Sequence, residues 1–213
     1  MKKCILFDLD GTLTNSAKGI TNCALYAYEK LGITPPPISD LLTFIGPPLR
    51  YSFSKYGVSE NDVETAVSYY RERYTTIGKY ENEVYNGIYE LLQNVKKAGN
   101  RLFIATSKPE KQTIDVLTHF NLINYFENIS CASLDGSRDS KTAVIKHLIS
   151  ETKNFTNGIM VGDTIFDVVG AKETGLTAVA VSWGFGNTNE ILNAGVDFYA
   201  ETVKDLENYL LNK

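Results

Sequence analysis

The sequence predicts an α/β fold, in which a doubly wound parallel sheet carries a small all-helical insertion after its first strand. Short apolar runs rich in β-branched residues alternate with segments of helical period, the pattern of a parallel sheet covered by helices on both faces. Residues 16–83 break this alternation, because they contain five of the six prolines and no convincing strand. We therefore expect an α/β core formed by residues 1–15 and 84–213, and a helical cap formed by residues 16–83.

The strands are predicted from apolar runs bounded by turn-forming residues. In chain order these runs are 3–9, 101–106, a weaker one at 128–132, 158–162 and 177–182. The core helices are predicted where apolar residues recur every three or four positions, at 87–98, 110–120 and 141–149. In the cap, the same periodicity predicts helices over 17–31 and 59–75, the second with Ser59 as its N-cap.

Composition narrows the possible partners. The 21 Lys and Arg residues against 25 Asp and Glu residues give a net charge of −4, which offers no broad attraction for nucleic acid or an anionic membrane. Three widely spaced cysteines suit reduced thiols, and no apolar run approaches the length of a membrane span. We expect a cytoplasmic protein that binds neither nucleic acid nor membrane. The sequence gives no indication of its oligomeric state.

Two acids follow the first strand. Asp8 and Asp10, two positions apart, are expected to face the crevice where wound sheets bind ligands, at the carboxyl ends of their strands. Burying acids there is costly unless a cation or hydrogen-bond donors meet them. Gly11 allows a tight turn in which backbone N–H groups approach an anion. A simple acidic turn after a strand is the alternative explanation.

Three other predicted strand ends carry polar groups. Thr106 and Ser107 offer a hydroxyl and backbone N–H groups at the expected start of a helix, a position that favours phosphate. Lys141 opens the helix after the weak strand and could neutralise a phosphoryl oxygen. Asp163 and Asp167 are two further acids entering a helix. If the sheet is parallel, all these groups converge on one edge, where a phosphate is held locally.

These residues resemble the four ordered motifs of the haloacid dehalogenase-like phosphohydrolase superfamily. The motifs are residues 8–12 (Asp-Leu-Asp-Gly-Thr), Thr106, Lys141, and Asp163 with Asp167. Residues 45–50 and 182–186 resemble the phosphoglycolate phosphatase and 5′-nucleotidase-like branch. The motif lysine of the family is often followed by proline, whereas Thr142 follows Lys141, so Lys108 and Lys146 remain alternatives for that role.

The resemblance implies a Mg²⁺-dependent phosphatase that acts on a small phosphate monoester through an aspartyl-phosphate. By this resemblance Asp8 is the nucleophile, and Asp10 is the general acid and base. Asp8, the backbone carbonyl of Asp10 and Asp163 bind the metal, and Asp167 orients the groups around it. An all-oxygen ligand set suits Mg²⁺. By the same resemblance, Thr106, the Ser107 N–H and Lys141 hold the phosphoryl oxygens.

The sequence leaves open the role of Arg50 and the type of reaction. Arg50, just after the Pro47–Pro48 turn of the cap, is either a residue that reaches a substrate anion or a solvated surface arginine. The same motifs also occur in sugar-phosphate mutases, which return the phosphoryl group to the sugar. A non-enzymatic receiver domain shares an acid cluster, a hydroxyl and a lysine on a wound sheet, but it is much shorter and lacks a helical insertion.

Overall fold

The computed structural model describes residues 2–133 and 137–212. The chain divides into two compact units, one formed by Met1–Thr14 and Val84–Lys213 and the other by Asn15–Glu83. The strands in chain order are β1 Cys4–Phe7, β2 Thr14–Asn15, β3 Glu83–Val84, β4 Arg101–Pro109, β5 Asn128–Ala132, β6 Gly158–Gly162, β7 Thr177–Val181 and β8 Phe198–Ala200. The α-helices are α1 Ala17–Leu31, α2 Ile38–Leu41, α3 Leu49–Lys55, α4 Val63–Thr76, α5 Ile88–Lys97, α6 Glu110–His119, α7 Lys141–Glu151, α8 Ile165–Glu173, α9 Thr188–Asn193 and α10 Val203–Asn212.

The larger unit contains a six-stranded sheet in the order β5-β4-β1-β6-β7-β8. Each neighbouring pair is parallel, which confirms the predicted α/β fold. β1 lies between β4 and β6, so the carboxyl ends of these three strands are adjacent. β2 and β3, where the chain passes between the units, form a separate two-stranded sheet.

Alternating residues of the buried strands supply two hydrophobic cores, one on each face of the sheet. Ile5 and Phe7 pack on the face covered by α5, α6 and α10. Cys4 and Leu6 pack on the opposite face, against α7, α8 and α9. This double burial explains why β1 is an uninterrupted apolar run, and why the first polar side chain after it lies at the edge of the sheet.

The helical unit has an aromatic core of its own. Tyr28 and Phe53 are fully buried with their ring centroids 5.7 Å apart, and Phe44 and Tyr70 make edge contacts with Phe53. The Tyr28 hydroxyl donates to the Tyr56 carbonyl at 3.0 Å. Large side chains with polar tips thus complete a small core. Within residues 2–133 and 137–212, no helix is long and apolar enough to cross a lipid bilayer.

One local prediction is wrong and one strand was missed. The helix predicted over 110–120 is confirmed as α6, and Thr106 and Ser107 lie in the extended segment before it. Ser59 is not the N-cap of α4, which begins at Val63, and its hydroxyl instead donates to the Asp62 carboxylate at 2.7 Å. The edge strand β8 was not predicted, since three residues are too few to show a period.

Candidate active site

Asp8 directly continues the central strand. Its N–H donates to the Val161 carbonyl at 2.9 Å, so the backbone still follows the ladder to β6 where the side chain leaves it. The carboxylate is buried, and its Oδ1 accepts the Leu9 N–H at 2.8 Å. A carboxylate is thereby fixed at the carboxyl end of the middle strand, which is the ligand-binding edge of such a sheet.

Lys141 bridges two of the acids. Ser140 caps α7 by accepting the Ala143 N–H, which places Lys141 in the first turn. Its Nζ lies 2.9 Å from Asp8 Oδ2 and 2.8 Å from Asp167 Oδ1. Burial alone would lower the pKa of Lys141, but the charges of Asp167 and Asp8 raise it above its ordinary value, so the ammonium form persists.

The other two candidate lysines lie elsewhere. Lys146 is exposed on α7. Lys108 is buried, and its ammonium group pairs with the Asp10 carboxylate rather than with Asp8. Of the three, Lys141 is the lysine in contact with Asp8.

The loop from β6 into α8 carries the remaining acids. Asp167 forms a capping box with Thr164, accepting its N–H at 3.0 Å and its hydroxyl at 2.7 Å. Asp163 is held by two donors, the Thr12 hydroxyl at 3.0 Å and the Phe185 N–H at 2.9 Å. Both carboxylates are therefore fixed before any ligand arrives.

Three carboxylates meet at this edge. Asp8, Asp163 and Asp167 each offer an oxygen, and these oxygens lie within 4.8 Å of one another. Burial raises the pKa of Asp8 to about 6, although Lys141 opposes the rise, and burial with repulsion from Asp167 and Asp8 raises the pKa of Asp163 to about 8. Against these three acids stands one ammonium group, that of Lys141, which pairs with Asp8 and Asp167, so the ionised cluster has an excess of negative charge. An all-oxygen donor set with this excess fits a hard divalent cation such as Mg²⁺.

The Asp10 side chain does not belong to this cluster. Its Oδ2 accepts from Lys108, and its Oδ1 is buried with no hydrogen-bond partner among the described residues. Thr106 lies beside Asp8 and contributes a hydrogen bond that lowers the Asp8 pKa, while its own Oγ1 accepts the Lys108 N–H at 3.2 Å. Ser107, between Thr106 and Lys108 in the chain, is half-buried. Asp8 and Asp10, two positions apart, therefore pair with different lysines, Asp8 with Lys141 and Asp10 with Lys108.

Gly11 lies in a tight turn, as expected from the sequence. Its N–H donates to the Thr14 carbonyl at 2.8 Å, so this donor is already engaged. Gly11 has a φ of +82°, and a Cβ atom there would collide with the Asp163 carboxylate. The glycine is needed for the close approach of the loop to Asp163. Arg50 lies in the other unit, where its side chain is 59% exposed and pairs with Glu64.

Several residues outside the predicted set of site residues also shape the site. Thr12 was visible in the first motif, but its bond to Asp163 depends on a loop far away in the chain. Gly184 and Gly186 also lie against Asp163, where a Cβ atom would collide with it. The glycine-rich character of residues 184–186 was the available signal, and it marks close packing around this carboxylate.

Comparisons with known proteins agree with this geometry. The sequence pattern of the haloacid dehalogenase-like hydrolases matches residues 5–181. The chain is 41% identical over 189 residues to a 5′-nucleotidase of Pseudomonas aeruginosa, covering 88% of this chain and 86% of the relative. It is 39% identical over 210 residues to the tyrosine-protein kinase PtkA of Mycobacterium tuberculosis, covering 97% and 72%.

Solved structures of related proteins have the same fold. A predicted phosphatase from Clostridium acetobutylicum superposes with a TM-score of 0.92 at 39% identity, over 100% of both chains. A haloacid dehalogenase-like protein from Streptococcus pneumoniae superposes with a TM-score of 0.90 at 33% identity, over 98% of both chains. The sheet order, the acid cluster and these matches together show that the chain is an enzyme of the haloacid dehalogenase-like hydrolase family.

Proposed function

We propose that the protein is a Mg²⁺-dependent phosphatase that hydrolyses a small phosphate monoester through an aspartyl-phosphate on Asp8. The observation that carries this proposal is the placement of Asp8. It is a buried carboxylate at the ligand-binding edge, beside one ammonium group and two further acids. This arrangement suits a nucleophile that must meet a phosphate dianion without repelling it.

Asp8, Asp163 and the Asp10 carbonyl would hold the metal, and Asp167 would orient the groups around it. When bound, Mg²⁺ neutralises charge on the carboxylates and the phosphate and aligns the phosphorus for in-line attack. Lys141, Thr106 and the Ser107 N–H would hold the phosphoryl oxygens on which negative charge is spread in the transition state. Gly11, whose own N–H is bonded to Thr14, would let the loop approach the phosphate closely.

The chemistry divides into two displacements. In the first, a carboxylate oxygen of Asp8 forms a bond to phosphorus while the bond to the ester oxygen breaks, and Asp10 gives a proton to the departing alkoxide. In the second, Asp10 takes a proton from water, whose oxygen bonds to phosphorus and releases Asp8 and inorganic phosphate. Asp10 thus returns to its starting state.

For the substrate class, we propose a nucleoside 5′-monophosphate or phosphoglycolate. The 5′-nucleotidase of P. aeruginosa supports the first choice, and residues 45–50 and 182–186 support this branch in general. The helical unit, residues 15–83, would select among esters, and Arg50 would reach a second anion of the substrate by exchanging Glu64 for it. The reduced cysteines and the metabolite substrate support a cytoplasmic location.

A panel of phosphate esters tests this proposal. Phosphoglycolate, several nucleotides, pyrophosphate and hexose phosphates would be assayed for phosphate release with Mg²⁺ and with EDTA. We expect Mg²⁺-dependent release from at least one monoester, and loss of both release and phosphoenzyme in Asp8→Asn. Isomerised hexose phosphate without phosphate release would support a mutase instead, and stoichiometric phosphorylation without turnover would support a receiver domain.

A second candidate is transfer of the phosphoryl group to a protein tyrosine. Its support is that PtkA, 39% identical over most of this chain, is named a tyrosine-protein kinase. The same nucleophile would serve this reaction, with a phenol in place of water. Incubation with labelled ATP distinguishes the two, because a kinase leaves label on tyrosine, whereas a phosphatase releases it as phosphate.

A further inference from the structure

Two buried lysines at the strand ends contact different carboxylates. Lys141 lies between Asp8 and Asp167. The Lys108 ammonium group donates to Asp10 Oδ2, and the two side chains are only 5% and 15% exposed. An ion pair this deep is more than a surface contact, because both charges have lost most of their water.

The backbone fixes both members of the Lys108–Asp10 pair. The Lys108 N–H donates to Thr106 Oγ1 at 3.2 Å, and its carbonyl accepts the Thr113 hydroxyl at 3.4 Å. The pairing of β4 with β5 shifts register between Thr106 and Pro109, which changes the direction of this segment. On the other side, Asp10 forms a bridge with Thr14. The pair therefore joins two constrained segments.

The second oxygen of Asp10 is left unsatisfied. Asp10 Oδ1 is buried and has no hydrogen-bond partner among the described residues. Such an oxygen costs free energy in a folded protein, so its retention needs an explanation. A proton shared first with the leaving-group oxygen and then with the attacking water would supply the missing partner.

We propose that Lys108 is a positioning residue that holds Asp10 by Oδ2 and so presents Oδ1 to the leaving group and to water. This inference rests on the proposed phosphatase function. The proton that reaches the departing alkoxide comes from Oδ1, and the proton taken from the attacking water returns to Oδ1. Lys108 keeps its own protons throughout, since Oδ2 accepts its hydrogen bond in either state of Asp10.

A lysine that positions the proton donor differs from a phosphate-binding lysine in how the effect of its removal depends on the leaving group. Departure of an alkoxide needs a proton, whereas departure of a stabilised phenolate hardly needs one. Loss of a group that positions the proton donor therefore slows the first kind of ester selectively. Loss of a phosphate-binding group slows both kinds equally, since both carry the same phosphate.

The test compares benzyl phosphate with 2,4-dinitrophenyl phosphate, using kcat/KM because it reports the first displacement. With Mg²⁺, Lys108→Met should lower kcat/KM for benzyl phosphate about 10-fold to 100-fold more than for the dinitrophenyl ester, a part of what general acids contribute. Lys108→Arg should restore most of the loss. Lys146→Met, which removes an exposed lysine, is the matched control and should leave the ratio unchanged.

A double-mutant cycle keeps the test decisive if Lys108→Met folds poorly. The double variant Asp10→Asn/Lys108→Met lacks both buried charges. Compared with Asp10→Asn alone, it should change the ratio of kcat/KM for benzyl phosphate to kcat/KM for the dinitrophenyl ester by less than twofold. An equal fall for both esters in Lys108→Met, or a further fall in the ratio in the Asp10→Asn background, would overturn the proposal. Absence of turnover and of phosphoenzyme in the unmodified protein would instead overturn the proposed function itself.

Discussion

Replacement of Asp163 by asparagine should stabilise the metal-free protein. In the folded chain, burial and the charges of Asp167 and Asp8 raise the pKa of Asp163 from 3.8 to about 8. At about 1.4 kcal/mol for each tenfold change in proton affinity, this rise corresponds to about 6 kcal/mol of destabilisation when the group is ionised. Asparagine removes that charge and loses about 1 kcal/mol of hydrogen bonding to Thr12 and Phe185. We therefore expect a net gain of about 5 kcal/mol at pH 8.5.

The sign of the pH dependence follows from the raised pKa. Between pH 3.8 and about 8 the folded protein keeps a proton on Asp163 that the unfolded chain has lost, so metal-free stability falls as pH rises through this window. The gain from Asp163→Asn should grow over the same window and be small near pH 4. Mg²⁺ should stabilise the original protein much more than the variant, because the variant lacks one of the three proposed metal ligands.

The assay is urea unfolding in EDTA at several pH values, followed by the same measurement with Mg²⁺. Asp139→Asn is the control, because it removes an exposed carboxylate from the same unit and should change stability by less than about 0.5 kcal/mol. A metal-free Asp163→Asn protein that is no more stable than the original at pH 8.5 would refute the electrostatic reasoning about the cluster.

The remaining predictions concern the metal, the close packing and the cap. Mg²⁺ binding should release protons at pH 7, since it displaces them from Asp163, whose pKa is raised to about 8; calorimetry in buffers of different ionisation enthalpy measures the release, and none would count against a shared site. Gly11→Ala should lower the free energy of unfolding by at least about 2 kcal/mol and abolish Mg²⁺ binding, because the new Cβ collides with Asp163 at a positive φ. Thermal unfolding and Mg²⁺ titration measure the two effects, and unchanged values would contradict the close packing. Arg50→Ala should raise KM for phosphoglycolate at least fivefold more than for p-nitrophenyl phosphate, and equal changes in the two would argue for a solvated arginine.

Much of the fold was predictable because its signals are local. β1, β6 and β7 are short, mostly apolar runs that are buried on both faces. Lys141 and Asp167 lie in the first turns of helices that follow strands. A parallel sheet then brings such strand ends to one edge whatever the details of packing. The order of elements was enough to expect that Asp8, Lys141 and Asp163 would lie near one another.

The features that the sequence did not predict depend on which individual atoms meet. The pairing of Asp10 with Lys108 requires the extended conformation that Pro109 imposes on β4, together with a register shift against β5. The engagement of the Gly11 N–H by Thr14 depends on the closure of one short turn. Neither apolar periodicity nor motif spacing contains this information, because both describe which face a residue occupies and not which atom it contacts.

The proposed mechanism requires that Asp8 becomes covalently phosphorylated. Acid quenching of the protein within the first turnover of a labelled monoester with Mg²⁺, followed by peptide mapping, detects this intermediate. We expect an acyl-phosphate on Asp8 that forms and decays at rates consistent with turnover, and no label in Asp8→Asn. Label on another residue, or undiminished turnover in Asp8→Asn, would contradict it.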